Sequence, residues 1–467
     1  MLIENIEIID TASKGKSIAK HDGRVIIVEA AVPGDICDIN VFKKKKKFWQ
    51  AKINKTHVFS KKRTEPKCDH FGVCGGCKWQ NMQYKFQLEF KQKEVLNNIK
   101  RIGKIEDINY SEIIGSKKQY NYRNKMEFTF SNKRWLSNEE IKSEIEITDR
   151  DALGFHVPGM FDKVINIDKC HLQKNPSNSI RLSVKKFADN NNLTYFDIRN
   201  QNGLLRNLMI RTTSTGELMV MVQFFENDRE NIELLMNHIN CEFSEITSLL
   251  YVVNQKANNT FYDQKIICFS GKDHIIEEMD GLHFKIGPKS FFQTNSEQAK
   301  ILYRKTKELA QIRNSDIVYD LYTGTGTIAQ YVANSAKKVV GIDSVEEGIK
   351  AAYDNAKRNK INNCTFYTGD MKDMFNEEFI KKNGVPDIII TDPPRDGMHK
   401  DVVAQLMTIK AKRIVYVSCN SATQARDLEL MNELYTVSNI QPVDMFPQTH
   451  HVENIIVLEL KNNSFIK

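Results

Sequence analysis

The sequence predicts an α/β protein: a C-terminal doubly wound, Rossmann-like sheet follows a small N-terminal β-barrel and a central α+β region. Short alternating apolar runs at 6–9, 25–28 and 35–39, broken by turn residues, are typical of a small barrel. From about residue 291, strand-like runs alternate regularly with helix-like segments, which indicates a parallel sheet covered on both faces. Between these regions the pattern is mixed. We therefore expect three domains, at 1–58, 59–290 and 291–467.

The predicted barrel carries an unusual basic segment. Lysines fill positions 43–47 between Phe42 and Phe48, and Trp49 follows directly. Cationic groups beside aromatic rings can hold phosphates and stack bases, so this segment favours nucleic-acid binding. A solvated hairpin tip with a basic bias is the alternative.

The charge distribution supports a polyanion partner. Residues 1–100 contain 20 Lys and Arg against 11 Asp and Glu, whereas the other 367 residues contain 47 against 48, for a net charge of +8. The whole basic excess therefore lies at one end, as expected of a region that binds phosphates. The N-terminus shows no signal-peptide pattern, and no apolar run approaches the ~20 residues that span a bilayer. A cytoplasmic protein is predicted, with cysteines more suited to metal binding or catalysis than to disulfides.

In the C-terminal region we expect five buried strands followed by a closing antiparallel pair. The strands are predicted at 317–321, 338–342, 365–367, 387–391 and 413–418, and the pair at about 440 and 454–460. Helices are predicted at 345–359 and, earlier in the chain, at about 83–101.

A glycine-rich turn, residues 320–327, follows the first of these strands. Gly324 and Gly326 allow a positive φ and let a ligand approach the backbone. The full dinucleotide fingerprint is absent because Ala329 occupies its last position, and there is no Walker lysine.

Acidic residues follow the next three strands. Asp343 ends the second strand and can accept hydrogen bonds from both ribose hydroxyls of a nucleoside, Asp370 can face an adenine edge, and Asp392 follows the fourth strand. Any one of them could be an ordinary helix N-cap. Acidic groups at successive strand ends favour S-adenosylmethionine over NAD as the cofactor.

Cys419 ends the fifth strand. The carboxyl ends of parallel strands are where open α/β sheets bind ligands, so a thiol there is well sited as a nucleophile. The alternative is a small hydrophobe that finishes a strand.

Several motifs together resemble those of RNA uracil-5-methyltransferases, especially the bacterial 23S ribosomal RNA enzymes. They are Phe291-Phe292-Gln293-Thr294-Asn295, Asp392-Pro393-Pro394-Arg395, Ser418-Cys419-Asn420 and Thr449-His450-His451-Val452-Glu453. The resemblance implies a class I methyltransferase domain and a TRAM-like RNA-binding barrel. It further implies S-adenosylmethionine contacts from Gln293, Tyr322, Asp343 and Asp392, with Thr327 and Asp370 as weaker candidates.

The resemblance also implies the roles of nucleophile and base. Cys419 attacks uracil C6, which makes C5 nucleophilic, and Glu453 removes the C5 proton after methyl transfer. The target uridine is flipped out of its stack, and Phe291 is our candidate for stacking on it. Thr323, Ser421 and Asn454 depart from the common pattern without removing a required chemical group.

The predicted function is therefore formation of 5-methyluridine in ribosomal RNA by a monomer. The same reaction on transfer RNA is the nearest alternative, and a non-catalytic RNA-binding assembly factor is a second.

A cysteine cluster precedes the predicted helix at 83–101. Cys68, Cys74 and Cys77 lie in one glycine-containing loop, and Cys170 is the most plausible fourth ligand. Four thiolates suit zinc or an iron–sulfur cluster, and the spacing alone favours zinc slightly. The resemblance implies a [4Fe-4S] cluster with a structural role. The remaining cysteines outside the active site, Cys37, Cys241, Cys268 and Cys364, are predicted to be buried hydrophobes.

Overall fold

A computed structural model describes residues 1–107, 109–143 and 145–461. The first strands are β1 (Leu2–Ala12), β2 (Lys16–His21), β3 (Arg24–Glu29), β4 (Ile36–Lys44) and β5 (Trp49–Val58). They close into a barrel in the order β1-β2-β3-β5-β4, which confirms the predicted N-terminal barrel. Ile8, Ile26 and Ile39 are fully buried inside it, because alternate side chains of each strand point inward.

The middle of the chain forms a second sheet with helices on one face. Its elements are α1 (Tyr84–Arg101), β6 (Lys125–Ser131), α2 (Asn138–Lys142), β7 (Ala152–His156), β8 (Val164–Asn166), α3 (Ser177–Asn190), β9 (Leu205–Thr212), β10 (Leu218–Phe224), α4 (Arg229–Glu242), β11 (Ser248–Val253) and β12 (Ile266–Gly271). The strand order is β12-β11-β10-β9-β6-β7-β8. Buried side chains of α3 and α4, among them Val184 and Met236, pack on Phe128 and Val220 of the sheet.

The C-terminal region contains a hairpin and a second seven-stranded sheet. Its elements are β13 (Ile275–Met279), β14 (Leu282–Ile286), α5 (Ser296–Ala310), β15 (Ile317–Leu321), α6 (Thr327–Ala333), β16 (Lys338–Asp343), α7 (Glu346–Arg358), β17 (Cys364–Thr368), α8 (Met371–Met374), α9 (Glu377–Asn383), β18 (Ile388–Thr391), α10 (Lys400–Ile409), β19 (Arg413–Ser418), α11 (Ser421–Met431), β20 (Tyr435–Val443) and β21 (Glu453–Leu460). The order β17-β16-β15-β18-β19-β21-β20, parallel through β19 and antiparallel beyond it, confirms the predicted doubly wound sheet.

Helices cover both faces of this sheet. Val318, Val339 and Val415 face one core, and Tyr319 and Ile414 face the other. Continuous burial on two sides explains why these strands are uninterrupted apolar runs in the sequence.

Helix α1 packs on the C-terminal sheet, although it precedes the central sheet in sequence. Its Val95 and Ile99 are fully buried in the same core as Tyr416, and α1 lies against α11. The predicted domain boundaries, between residues 58 and 59 and between residues 290 and 291, stay predictions.

No helix in the described ranges is long and apolar enough to cross a bilayer.

Cys241 on α4 and Cys268 on β12 are exposed, so the prediction that they are buried hydrophobes is wrong, whereas Cys37 is buried. Both lie at positions where the helix or strand faces solvent, which a lone cysteine does not reveal in sequence.

Candidate active site

The glycine-rich turn, Asp343 and Asp392 lie where the strand order of the C-terminal sheet reverses. Strand β15 pairs with β16 on one side and with β18 on the other, so a crevice opens beyond their carboxyl ends. The glycine-rich turn follows β15, Asp343 ends β16, and Asp392 follows β18. Side chains distant in sequence thereby share one edge of the sheet.

The turn after β15 has the backbone conformation of a ligand-binding loop. Tyr322 has a φ of 64° and Gly326 a φ of 73°, and a Cβ on Gly326 would lie 2.8 Å from the Cβ of Ala352. Only glycine fits at 326, because it combines a left-handed φ with close packing. The turn therefore packs closely against Ala352 of α7.

Asp343 organises the same turn. One carboxylate oxygen accepts a hydrogen bond from Gly324 N–H at 2.9 Å, and the other accepts from Val345 N–H at 2.8 Å. Each oxygen has a second lone pair, so the carboxylate can still accept from a ligand's hydroxyl groups.

Cys419 and Glu453 lie side by side at the end of an antiparallel ladder. Ser418 of β19 pairs with Asn454 of β21, so the next position along the ladder brings Cys419 opposite Glu453. Burial, and then the nearby Glu453 carboxylate, raise the pKa of the Cys419 thiol to about 11. Glu453 is 4% exposed, and burial and Asp392 raise the pKa of its carboxyl group well above the usual range. The structure therefore places a thiol and a carboxyl group at one point, both favouring their neutral forms.

Further acidic groups line the floor of the crevice. Burial and the charge of Asp320 raise the pKa of Asp392, and burial raises that of Asp320 to about 7. One oxygen of Asp320 accepts from Thr323 Oγ1 at 2.6 Å and from Ala329 N–H at 3.0 Å, while the other is buried without a partner among the described residues. A buried, under-satisfied group of carboxylates is suited to a positively charged ligand.

Two side chains at this site carried no predicted role. The positive charge of the nearby Arg395 guanidinium lowers the pKa of the Cys419 thiol, partly opposing the effect of burial. Tyr303 on α5 is 6% exposed, and burial beside Asp392 and Glu453 raises the pKa of its hydroxyl well above its usual value. Arg395 follows Asp392 in the quoted motif, which is the only signal the sequence offered. Tyr303 has the helical spacing of an ordinary core residue and gave none.

The remaining predicted residues occupy different surroundings. Gln293 and Thr327 are buried, at 8% and 7% exposure. Asp370 is an exposed N-cap that accepts from Lys372 N–H at 3.1 Å, which is the alternative considered for each aspartate. Phe291 is 72% exposed, as a side chain free to stack on a base would be.

The four predicted cysteine ligands line one pocket of about 500 Å³. The Cys170 charge contributes to raising the pKa values of Cys68, Cys74 and Cys77, after the larger effect of burial, so the thiols are close enough to interact. No three His, Cys, Asp or Glu side chains in the described ranges converge in the arrangement of a single metal ion's ligands.

Comparisons with known proteins agree with this arrangement. A family model described as tRNA (Uracil-5-)-methyltransferase matches residues 262–461. Uncharacterized RNA methyltransferases of Bacteroides thetaiotaomicron and Porphyromonas gingivalis are 53% and 49% identical to the chain, covering 96% and 97% of it and 100% and 99% of the relatives. The crystal structure of Pyrococcus abyssi tRNA (uracil-54, C5)-methyltransferase in complex with S-adenosyl-L-homocysteine matches with a TM-score of 0.74 and 28% identity, over 97% of this chain and 100% of that one.

The doubly wound sheet, the crevice at its reversal point and these similarities define an S-adenosylmethionine-dependent RNA methyltransferase. Within that class, the chain belongs to the RNA uracil-5-methyltransferase family.

Proposed function

We propose that this enzyme forms 5-methyluridine in 23S ribosomal RNA through a covalent bond between Cys419 and the target uracil. The observation that carries the proposal is the adjacency of Cys419 and Glu453 across the β19–β21 ladder. Uracil C5 is a weak nucleophile, so the reaction needs a group that adds to C6 and a base that removes the C5 proton.

Cys419, Arg395 and Glu453 have separate roles in the proposed reaction. The Cys419 thiolate, favoured by Arg395, attacks C6, and the electrons of the C5–C6 double bond shift into an enolate. C5 attacks the methyl group supplied by S-adenosylmethionine, the methyl–sulfur bond breaks, and S-adenosylhomocysteine is the leaving group. The ionised carboxylate of Glu453 then takes the C5 proton, the double bond reforms, and the C6–sulfur bond breaks to return the thiolate.

The cofactor fits the charges of the crevice. Its sulfonium and amino groups are cationic, and they complement the carboxylate of Asp392 and the buried oxygen of Asp320, which has no partner among the described residues. We assign its ribose hydroxyls to Asp343 and further contacts to Gln293, Tyr322 and Thr327. Asp370, an exposed cap, is the weakest member of the set.

RNA binding is assigned to the TRAM-like barrel. Lysines 43–47 are exposed on it, and the ammonium group of Lys44 lies 4.6 Å from the centre of the Trp49 ring. Such a surface binds phosphates and bases together. We place the enzyme in the cytoplasm as a monomer.

The target RNA is distinguished by one experiment. The ribosomal target rests on the resemblance to bacterial 23S enzymes, and transfer RNA is the second candidate, favoured by the whole-chain similarity to the Pyrococcus abyssi enzyme. Mass spectrometry of 5-methyluridine in separated 23S and transfer RNA, from cells with and without the gene, tests both. Loss from 23S RNA alone supports the proposal, and loss from transfer RNA alone replaces it.

A [4Fe-4S] cluster is proposed for the four-cysteine pocket. The ligands of a cubane cluster stand farther apart than those of one zinc ion, which suits thiols that share a pocket without converging on a point. Cys68, Cys74, Cys77 and Cys170 would hold it, with a structural role. Iron, sulfide and zinc analysis of anaerobically purified protein distinguishes the cluster from zinc.

A further inference from the structure

The loop that leads to Glu453 is held by hydrogen bonds from four other parts of the chain. Val443 of β20 pairs with Glu453 of β21, so residues 444–452 form the connecting loop, which we name the base loop. A loop of this length with no partners would leave the first residue of β21 free to move. Catalytic geometry tolerates little movement, since a shift of about 1 Å can cost 10²-fold in rate.

Five consecutive backbone carbonyls of the base loop, those of residues 444–448, each accept a hydrogen bond from outside the loop. Asp444 O accepts from Gln298 Nε2 at 2.7 Å, and Met445 O accepts from Asn295 Nδ2 at 2.9 Å. Phe446 O accepts from Lys91 Nζ at 3.1 Å, and Pro447 O accepts from Tyr122 Oη at 2.9 Å. Gln448 O accepts from the backbone N–H groups of Lys78 and Trp79, at 2.9 and 3.1 Å. These donors come from α5 and its N-cap, from α1, from the segment before β6, and from the two residues that follow Cys77.

Gln87 of α1 connects these anchors. Its amide nitrogen donates to Gln448 Oε1 at 3.0 Å and to Trp79 O at 2.9 Å, and its amide oxygen accepts from Gln448 N–H at 3.0 Å. Gln87 is fully buried, and Gln448 has a φ of 69°, a backbone conformation that non-glycine residues rarely adopt without support.

A buried ion pair secures the start of the same loop. Lys91 Nζ lies 2.6 Å from Asp444 Oδ1, and Tyr84 Oη donates to Asp444 Oδ2 at 2.8 Å. Lys91 and Asp444 are both fully buried. A buried pair of this kind contributes little net stability but fixes geometry, because either charge alone is costly.

We propose that Gln87 and Tyr122 are positioning residues that act through the base loop to aim Glu453 at the C5 proton. The inference rests on the proposed covalent mechanism. Cys419 directly follows β19, which pairs with β18 in the core and makes none of these loop contacts. Loosening the base loop should therefore slow resolution of the covalent adduct and leave its formation unchanged.

The test follows single turnovers with end-labelled substrate RNA, separating the covalent protein–RNA adduct on denaturing gels. Gln87→Leu is compared with Gln83→Leu, a matched control at the N-cap of the same helix, whose amide nitrogen donates to Lys61 O at 2.9 Å and to Arg63 O at 3.0 Å, outside the base loop. Adduct resolution should slow about tenfold in Gln87→Leu, with formation within about twofold of wild type. RNA deuterated at uracil C5 should also give a larger isotope effect on resolution than in wild type.

A second pair of variants, each lacking only one hydroxyl group, tests the same role with less risk of unfolding the protein. Tyr122→Phe removes only the hydroxyl that donates to Pro447 O, and Tyr435→Phe removes an equally buried hydroxyl that donates to Ala411 O at 2.9 Å, outside the base loop. Resolution should slow about threefold in Tyr122→Phe alone.

The outcomes distinguish a failure of the positioning role from a failure of the covalent route. Glu453→Gln serves as the reference for a stalled base step. If it accumulates adduct but Gln87→Leu and Tyr122→Phe match their controls, or slow formation and resolution equally, the positioning role is wrong. If Glu453→Gln and wild type form no adduct at all, the covalent route itself fails, and the positioning role fails with it.

Discussion

The two proposed catalytic groups reach the same point by different structural routes. Cys419 is placed locally: it directly follows β19, a strand whose Val415 and Tyr416 are fully buried and which pairs with β18. Glu453 follows a loop whose carbonyls accept hydrogen bonds from α1, from α5, from the two residues after Cys77 and from Tyr122. A nucleophile that attacks first can stand on a rigid strand. Glu453 acts later, on the C5 proton, and its position depends on hydrogen bonds from several distant parts of the chain.

Removing the nucleophile should have the largest effect. Cys419→Ala should lower methylation on the order of 10⁴-fold or more and abolish the covalent adduct, because no other group adds to C6. S-adenosylmethionine binding, measured by calorimetry, should stay within about threefold of wild type. Cys241→Ala, which changes an exposed thiol on α4, is the control and should remain fully active. Substantial methylation by Cys419→Ala would contradict the covalent route.

Removing the base should stop the reaction later. Glu453→Gln should lower turnover about 10²- to 10⁴-fold while the methylated adduct accumulates, because proton removal precedes release of Cys419. Glu459→Gln on the same strand, which disturbs only the contact with Arg413, should not accumulate adduct. If Glu453→Gln lost adduct formation and turnover equally, Glu453 would not be the base that acts after the adduct has formed.

The cofactor site gives a third, smaller effect. Asp343→Asn should weaken S-adenosylmethionine binding about tenfold to hundredfold, since hydrogen bonds to a charged carboxylate are lost. Asp370→Asn, the corresponding change after β17, should weaken binding less, because Asp370 is an exposed cap. Calorimetric titration of both variants measures the difference, and an equal loss would assign the two aspartates the same role.

The pH dependence of adduct formation should depend on Arg395. Burial raises the pKa of Cys419 to about 11 and Arg395 opposes this, so the reactive thiolate becomes more populated as pH rises. Adduct formation should therefore increase from pH 6 to 9. Arg395→Ala should slow it about tenfold at neutral pH and move the profile to higher pH, and Arg395→Lys should lie between. A profile that falls with rising pH would contradict this assignment.

The smallest effect is expected at the barrel. Lys45→Ala with Lys46→Ala should reduce the slope of log Kd against log salt for RNA by roughly one to two, because each lysine contributes about one phosphate contact. Methylation at saturating RNA should not change. Lys381→Ala with Lys382→Ala on α9 is the matched control, and an equal change in slope there would indicate unspecific charge attraction.

Much of the C-terminal sheet could be predicted because buried parallel strands are continuous apolar runs. The predicted strand 317–321 matches β15, and 413–418 matches β19. The central order, with β6 between β9 and β7, depends on pairings between distant segments that leave no local pattern. The packing of α1 on the C-terminal sheet was hidden for the same reason.

The candidate site divides in a similar way. Cys419 and Glu453 were visible as residue types within motifs, but their adjacency needed the β19–β21 register. The role of Arg395 depends on a loop conformation, and the anchors of the base loop bind backbone carbonyls, which every sequence contains. Asp370 shows the converse: a strand-end aspartate can be an ordinary helix cap.

One measurement tests the central claim most directly. Glu453→Gln is incubated with substrate RNA and S-adenosylmethionine, digested with protease and nuclease, and the cross-linked peptide is sequenced by mass spectrometry. We predict a single attachment between Cys419 and a uridine that already carries the transferred methyl group. Attachment through another residue, or methylated RNA released without any protein-bound intermediate, would contradict the account.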